Sequence, residues 1–281
     1  MMKKRKRVIF IQVSAGLSIL ALVVVCLSLG TNEWITGSAS VSNASLDIQD
    51  SEINHGLFTG TLIRKTVSTP IFYDIYISCI WGSNACAWSC RSDSKSREEE
   101  VESLFNGENP EFSCLSSAKN LMSSVSKRNH ESDTRNSNVF VNAGAWLSTT
   151  ILMILQLVVV TGMCALSILN CFKSPAETLF NIYGIYLVAC IAIGLNLTSL
   201  IIYGCHYSFV TWYNIAVRDT ITGEYTSSAY LGYSYWILLL PLFLYGICIG
   251  LLLWRERIVN REPLGTKINI ENAADSTLVL F

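Results

Sequence analysis

Four long uncharged stretches of apolar residues are separated by polar segments along this chain. The apolar stretches cover residues 8–29, 146–169, 179–203 and 231–254. An α-helix rises about 1.5 Å per residue, so about 20 apolar residues are needed to cross a hydrocarbon core of about 30 Å. Each stretch reaches that length, and the pattern therefore predicts four transmembrane helices.

The polar segments that flank these stretches differ greatly in length. They cover residues 1–7, 30–145, 170–178, 204–230 and 255–281. The pattern predicts an all-α membrane protein, a four-helix transmembrane bundle with a long, partly β, extracellular loop between spans one and two.

Two parts of the long loop carry their own structural signals. Residues 61–80 are rich in β-branched and aromatic side chains and predict one or two strands, with Pro70 as a break or an edge position. Residues 92–135 are rich in Ser, Glu, Lys and Asn, and we expect them to be weakly helical or mobile.

Composition supports a membrane protein. Hydrophobic residues make up 51% of the chain and charged residues 15%, whereas soluble domains have about 25% charged residues. The formal net charge of −1 provides no field that would favour nucleic acid. The expected partners are therefore the lipid bilayer and other membrane proteins, and not nucleic acid.

The basic residues predict the orientation of the chain. Residues 1–7 include five basic side chains, and Arg255, Arg257 and Arg261 follow the fourth stretch. Because short segments rich in Lys and Arg remain in the cytoplasm, both termini are expected there. The first stretch is too long for the core of a signal peptide, about 7–15 residues, and predicts an uncleaved anchor. The expected location is the plasma membrane.

The long loop carries candidate modifications of an oxidising compartment. Four of the ten cysteines lie in it, Cys79, Cys86, Cys90 and Cys114. An even number outside the cytoplasm predicts two disulfides, and three pairings are open. Asn43 begins an Asn-Ala-Ser sequence and is a candidate glycosylation site.

The sequence carries no recognisable catalytic or cofactor motif. None of the three histidines lies in a nucleophile motif, and there is no HExxH, P-loop or Rossmann fingerprint. The four stretches contain no acidic or basic residue, although ion pathways and coupled transporters usually need ionisable groups at that depth. We therefore expect no enzyme activity, no cofactor and no metal.

Two features of the expected cytoplasmic side could connect to other components. Cys171 follows the second stretch and is either a palmitoylation site or an ordinary buried cysteine. The chain ends at Val279, Leu280 and Phe281. Alternating apolar residues before a free carboxylate suit a PDZ groove, in which the peptide adds a strand and its last side chain fills a pocket. The alternative is a tail that happens to end in apolar residues.

The fourth stretch has two special positions. Gly246 and Gly250 form a small-xxx-small face, which serves either packing within the bundle or a homodimer contact. Pro241 is expected to kink the helix, with neighbouring groups satisfying the freed carbonyl.

Four short segments resemble the clarin family of claudin-like tetraspan proteins. Residues 30–36 (GTNEWIT) are similar to the clarin G-T-x-x-W-I, and residues 55–60 (HGLFTG) to Y-G-L-F-x-G. Residues 174–179 (SPAETL) are similar to K-P-x-E-T-L, and residues 231–236 (LGYSYW) to Y-G-Y-S-F-W. The chain differs at residues 80–136, a stretch longer than clarins usually carry.

The resemblance implies a non-enzymatic membrane organiser. The residues that match the family would be structural and would anchor a short extracellular sheet over the bundle: Trp34, Gly56, Leu57, Phe58 and Gly60. The tail would contact a PDZ or actin-linked scaffold. Two alternatives remain, an auxiliary subunit of an ion channel and a claudin-like adhesion protein. Claudins have tryptophan at the position of Phe58, which weakens the second alternative.

Overall fold

A computed structural model describes residues 2–41, 51–65, 69–106, 108, 140–172, 180–212 and 225–260. Four helical segments in these ranges are long and apolar enough to cross a membrane. They cover Ile9–Gly30, Ala143–Phe172, Ile182–Thr211 and Tyr233–Ile258.

The helices extend beyond the apolar stretches on which the prediction rested. Their bounds are α1 Met2–Gly30, α2 Ser94–Phe105, α3 Ala143–Phe172, α4 Ile182–His206, α5 Tyr233–Trp236 and α6 Leu239–Asn260. A π-turn, Tyr207–Thr211, prolongs α4 past the predicted end at residue 203. The Tyr207 hydroxyl donates to the Ala229 carbonyl over 2.7 Å, and this bond ties the additional turn to a strand that the apolar pattern cannot reveal.

The fourth span is interrupted near Pro241, where the sequence predicted a kink. Two residues separate α5 from α6, and Pro241 lies in the first turn of α6. Proline has no backbone N–H to donate to the preceding turn. The carbonyl freed by Pro241 is that of Ile237, four residues earlier, and it accepts a hydrogen bond from the Leu240 N–H over 3.0 Å. The neighbouring Leu238 carbonyl accepts from the side-chain amide of Asn196 in α4 over 3.0 Å.

The protein is not purely all-α, because in the described ranges an antiparallel sheet of seven strands accompanies the helices. The strands are β1 Ile35–Val41, β2 Ser51–His55, β3 Thr59–Lys65, β4 Pro70–Ile80, β5 Ala85–Ser89, β6 Val141–Asn142 and β7 Tyr225–Leu231. Their order is β6-β5-β4-β3-β2-β1-β7. The prediction of one or two strands in residues 61–80 is confirmed by β3 and β4, with Pro70 at the start of β4.

Strands β1 and β7 show why the sequence underestimated the strand content. Both consist largely of Ser, Thr, Ala and Gly, without the alternation of large apolar and polar residues that marks a strand. They pair with each other, Ile35 opposite Leu231. The partners lie 196 positions apart in a chain of 281 residues, so the local pattern carries no trace of the pairing.

The sheet packs against one end of the helix bundle. One cluster of buried side chains contains residues from both layers. The sheet contributes Ile35, Ile53, Leu62, Ile75, Cys86, Trp88 and Val141. The helices contribute Val25, Met153, Leu200 and Tyr203, and the link between α5 and α6 contributes Leu238. Because these side chains share one core, the sheet and the helix ends have a fixed relative position.

A second cluster fills the interior of the bundle itself, and the glycine pair of α6 does not belong to it. Gly246 and Gly250 are exposed, and a Cβ atom at either would meet no described atom within 4 Å. The interpretation of this pair as a packing face within the bundle is therefore wrong.

Helix α2 covers the outer strands of the sheet. Val101 and Leu104 are buried against Ala85, Ala87 and Phe140. The helix begins after Asp93, whose carboxylate accepts a hydrogen bond from the Ser96 N–H over 3.0 Å, as expected of a helix N-cap. The expectation of weak helix within residues 92–135 is met here, and residues 107 and 109–139 lie outside the described ranges.

Candidate functional site

Three segments that are far apart in the sequence meet where the sheet contacts the helices. They are residues 28–36, 55–60 and 231–236. We call these segments together the Trp34 junction. Three of the four sequence segments on which the expected resemblance to clarins rests lie in it.

Trp34 lies at the centre of the junction and is fully buried. Its indole N–H donates to the Ser28 carbonyl, in the last turn of α1, over 2.7 Å. Its ring meets the ring of Tyr203 edge to face, with centroids 4.7 Å apart, a favourable geometry for aromatic pairs. The side chain therefore folds back onto the helix that precedes it and contacts α4 at the same time.

Backbone hydrogen bonds connect the three segments around Trp34. The Trp34 N–H donates to the His55 carbonyl over 3.0 Å, and the Gly232 N–H donates to the Trp34 carbonyl over 2.8 Å. The Ser234 N–H also donates to the Glu33 carbonyl over 3.1 Å. The segment that follows α1 is thus held between the end of β2 and the start of α5. The Trp34 N–H and the carbonyls of Glu33 and Trp34 all have hydrogen-bond partners, as buried backbone groups require.

Gly56 and Gly60 allow the second segment to approach the first. The Gly56 N–H donates to the Thr59 carbonyl over 2.8 Å and closes a tight turn. The Thr59 hydroxyl donates to the Asn32 side-chain oxygen over 2.7 Å. A Cβ atom on Gly56 would lie 2.5 Å from the Thr31 carbonyl oxygen, and one on Gly60 would collide with β2 in the same way. Both positions require a residue without a side chain.

Leu57 and Phe58 occupy the tip of this turn. Leu57 is buried, and its carbonyl accepts a hydrogen bond from the Trp146 indole N–H over 2.7 Å. Phe58 is 42% exposed, and its ring centroid lies 6.3 Å from that of Trp146, in the first turn of α3. The structure therefore brings all five residues that were predicted to be structural to the junction, four of them in its interior and Phe58 at its surface.

His55 is a part of this site that sequence reasoning overlooked. Its ring is buried, 4% exposed, and packs on Trp88 with centroids 4.5 Å apart. Nδ1 lies 3.3 Å from the Gly56 carbonyl; because a carbonyl only accepts, Nδ1 carries the proton and Nε2 is a bare acceptor. Burial lowers the pKa of His55 from 6.5 to about 4, and the bond to Gly56 opposes this only in part.

A small cavity of about 20 Å³ adjoins this ring. Its lining includes His55, Trp88, Trp146, Tyr203, His206 and Thr211. No described protein atom bonds His55 Nε2. A cavity of this volume accommodates about one water molecule, whereas organic ligands need about 300–1,000 Å³.

His206 shares the cavity and is fixed by its neighbours. The Asn142 N–H donates to its Nε2 over 3.2 Å, and Nδ1 lies 3.3 Å from the Thr211 hydroxyl. No sequence signal pairs this residue with His55, because they lie on distant elements. Within the described ranges, no three potential metal ligands come together.

The structure decides one disulfide among the loop cysteines. Cys79 and Cys86 face each other on β4 and β5 and are joined. Cys90, which follows β5, is also disulfide-bonded. Cys114 lies outside the described residues. Of the three pairings that the sequence left open, only the one containing Cys79–Cys86 agrees with this arrangement.

Of the other candidate residues, the structure describes only Cys171, which is not part of the junction. Cys171 lies in the last turn of α3, at the end of the helix away from the sheet, and is a half-buried free thiol. Asn43, the clarin-like residues 174–179 and the terminal Val279 and Phe281 lie outside the described residues.

Fold and site together define a class, a multi-pass membrane protein with an antiparallel sheet on one end of its helices. The sequence matches no protein-family model and no curated protein. The junction contains tight packing, backbone hydrogen bonds and a cavity of the size of one water molecule. This arrangement fixes the sheet rigidly to one end of the helix bundle.

Proposed function

We propose that this protein is a clarin-like membrane organiser, a non-enzymatic protein that links extracellular or neighbouring membrane partners to the cortical cytoskeleton. One observation carries the proposal. The clarin-like segments at residues 30–36, 55–60 and 231–236 form a single junction, although they are far apart in the sequence. The fourth similar segment, residues 174–179, lies outside the described residues. Three similar segments that build one junction are what a shared fold would produce, whereas chance similarities would be scattered.

The rigid attachment of the sheet supports an organising role. A partner bound to the sheet would be held at a fixed distance and angle from the membrane, because the sheet and the helix ends share one buried core. Such a protein needs no reaction chemistry. It needs one surface on each side of the membrane and a stiff connection between them.

We also propose that the sheet is extracellular, that both termini are cytoplasmic and that the membrane is the plasma membrane. The bonded cysteines Cys79, Cys86 and Cys90 lie on the sheet side, and disulfides persist in oxidising compartments. Arg255 and Arg257 lie near the end of α6, away from the sheet, and basic residues favour the cytoplasm.

Glycosylation at Asn43 tests this orientation. In cells, the wild-type protein should lose apparent mass on treatment with an N-glycosidase, and Asn43→Gln should migrate at the deglycosylated position without treatment. An epitope at each terminus should be stained only after permeabilisation. Staining of either terminus in intact cells would refute the proposed orientation.

Proximity labelling in living cells tests the function. A labelling enzyme is placed at the N-terminus so that the C-terminal carboxylate stays free, and the full chain is compared with one lacking residues 279–281. A matched control adds one glycine after Phe281, which preserves the side chains but moves the carboxylate out of register with a PDZ groove. We expect PDZ scaffolds and cortical actin proteins with the full chain, and a loss of both with either change.

Other outcomes would favour the alternative functions. If channel subunits dominate and neither change at the terminus alters the labelling, the protein is an auxiliary channel subunit. If its expression increases the electrical resistance of an epithelial monolayer, it is a claudin-like adhesion protein. Either result would overturn the organiser proposal.

A further inference from the structure

Two turns of the sheet carry exposed aromatic side chains at the level where α3 begins. Phe58 lies on the turn between β2 and β3, and Trp81 begins the turn between β4 and β5. They are 42% and 59% exposed. Each ring centroid lies 6.3 Å from that of Trp146. Trp146 belongs to the first turn of a helix that is long and apolar enough to cross a membrane, so it marks the depth of both rings.

Hydrogen bonds hold both turns at this depth. The indole N–H of Trp146 donates to the Leu57 carbonyl in the first turn. In the second turn, the Asn84 side-chain oxygen accepts from the Gly144 N–H over 2.8 Å and the Asn84 carbonyl accepts from the Ala143 N–H over 3.3 Å. Both turns are therefore bonded to the N-terminal turn of α3 and cannot rise away from it independently.

The chemistry of the turns suits the boundary between lipid headgroups and acyl chains. Residues 56–60 and 81–84 contain no charged side chain. Charged residues of the same strands, Glu52 and Arg64, lie toward the opposite end of the β2–β3 hairpin. Tryptophan combines an apolar ring with a polar N–H, which is why it concentrates at membrane interfaces.

Exposed aromatic residues surround the other helices at the same end of the bundle. Phe209 and Trp212 lie at the end of α4, and Tyr233 and Trp236 lie in α5. Such rings mark the interface of transmembrane helices. Phe58 and Trp81 extend this belt of aromatic side chains from the helices onto the sheet.

We propose that Phe58 and Trp81 insert into the interfacial layer of the membrane that α3 spans, so that the sheet rests on lipid through these two turns. The surface formed by Phe58 and Trp81 is covered by the same bilayer that surrounds the helix ends. The sheet then has a third support besides the Trp34 junction and the strand pairing, and its tilt over the membrane is fixed. This inference does not depend on the proposed organiser function.

Fluorescence quenching in the reconstituted full chain tests the proposal. An environment-sensitive fluorescent amino acid replaces Phe58, Trp81 or Phe72, one position at a time, in phosphatidylcholine nanodiscs. Phe72 is the matched control because it is an exposed aromatic on β4, nine residues before Trp81 and far from the turn. Quenchers are a lipid with a doxyl group at carbon 5 of its chain and aqueous iodide.

We expect the doxyl lipid to quench positions 58 and 81 at least twofold and iodide to quench them at least fivefold less than position 72. Equal iodide quenching at all three positions would overturn the proposal. Protection from iodide without quenching by the doxyl lipid would also overturn it, since a protein or a second copy would then cover the patch. If a reporter prevents formation of the Cys79–Cys86 disulfide, Ser83, exposed in the same turn as Trp81, takes its place.

Discussion

The carbonyl oxygen of Thr31 lies 2.5 Å from the position that a Cβ atom on Gly56 would occupy. Real Cβ atoms do not approach backbone so closely, and Thr31 is held by its own bond to Leu27 in the last turn of α1. We therefore predict that Gly56→Val separates β2 from α1. The free energy of unfolding should fall by about 3 kcal/mol, and the protein should be retained inside the cell.

Gly82→Ala is the control for this prediction. Gly82 lies in the turn before β5, and a Cβ atom there would meet no described atom within 4 Å. Surface biotinylation should find Gly82→Ala at the wild-type level and Gly56→Val strongly reduced. Normal surface levels of Gly56→Val would show that the close approach is not required.

The indole N–H of Trp34 provides a second prediction. Trp34→Phe keeps an aromatic ring but removes the buried hydrogen bond to the Ser28 carbonyl and some packing. We expect a loss of about 2 kcal/mol in unfolding free energy. Trp236→Phe also removes an indole hydrogen bond, at 3.2 Å to Leu231, but that side chain is exposed. Trp236→Phe should therefore lower the free energy of unfolding by less than about 0.5 kcal/mol. Equal melting temperatures for the two variants in nanodiscs would contradict the central role of Trp34.

Disulfide mapping gives a third prediction. Cys79 is joined to Cys86, and Cys90 is bonded. Six other described cysteines are free, and the sequence contains ten in all. The partner that remains for Cys90 is Cys114. Mass spectrometry of the unreduced, alkylated protein should therefore find a Cys79–Cys86 peptide and a Cys90–Cys114 peptide. A linkage between Cys79 and Cys90 would contradict the register of β4 and β5.

His55 predicts a pH dependence of stability. Its pKa is 6.5 when exposed and about 4 in the folded protein because of burial. Between these pH values the unfolded state binds more protons than the folded state. The stability that depends on a neutral His55 is therefore fully present above pH 6.5. It decreases as the pH falls toward 4, and the free energy of unfolding falls by about 3 kcal/mol in total.

The matched variant is His55→Phe, which keeps a ring against Trp88 but cannot titrate. Thermal unfolding in nanodiscs at pH 7.5 and pH 4.5 should show a larger decrease in melting temperature for the wild type than for His55→Phe. The carboxylates are common to both proteins, so the difference isolates the histidine. The same decrease in both would mean that His55 is not buried as a neutral ring.

The helices of this protein follow directly from its sequence. A stretch of about 20 apolar residues without charge has few alternatives to a membrane-spanning helix, because backbone polar groups in lipid must be satisfied within the segment. The break near Pro241 and strands β3 and β4 could be predicted for equally local reasons. Trp34 and Gly56 were singled out only through an expected resemblance to a family, and what they contact could not be predicted.

The tertiary structure alone decided how these parts are joined. The pairing of Ile35 with Leu231, the position of His55 beside His206 and the bond between Trp146 and Leu57 all connect residues that are remote in sequence. Strands β1 and β7 consist largely of small residues, so they leave no alternating apolar pattern to detect. The sequence by itself determined which segments enter the membrane, since that depends on composition over one helix length. Only folding determined the sheet and its junction with the bundle, since those depend on contacts between distant segments.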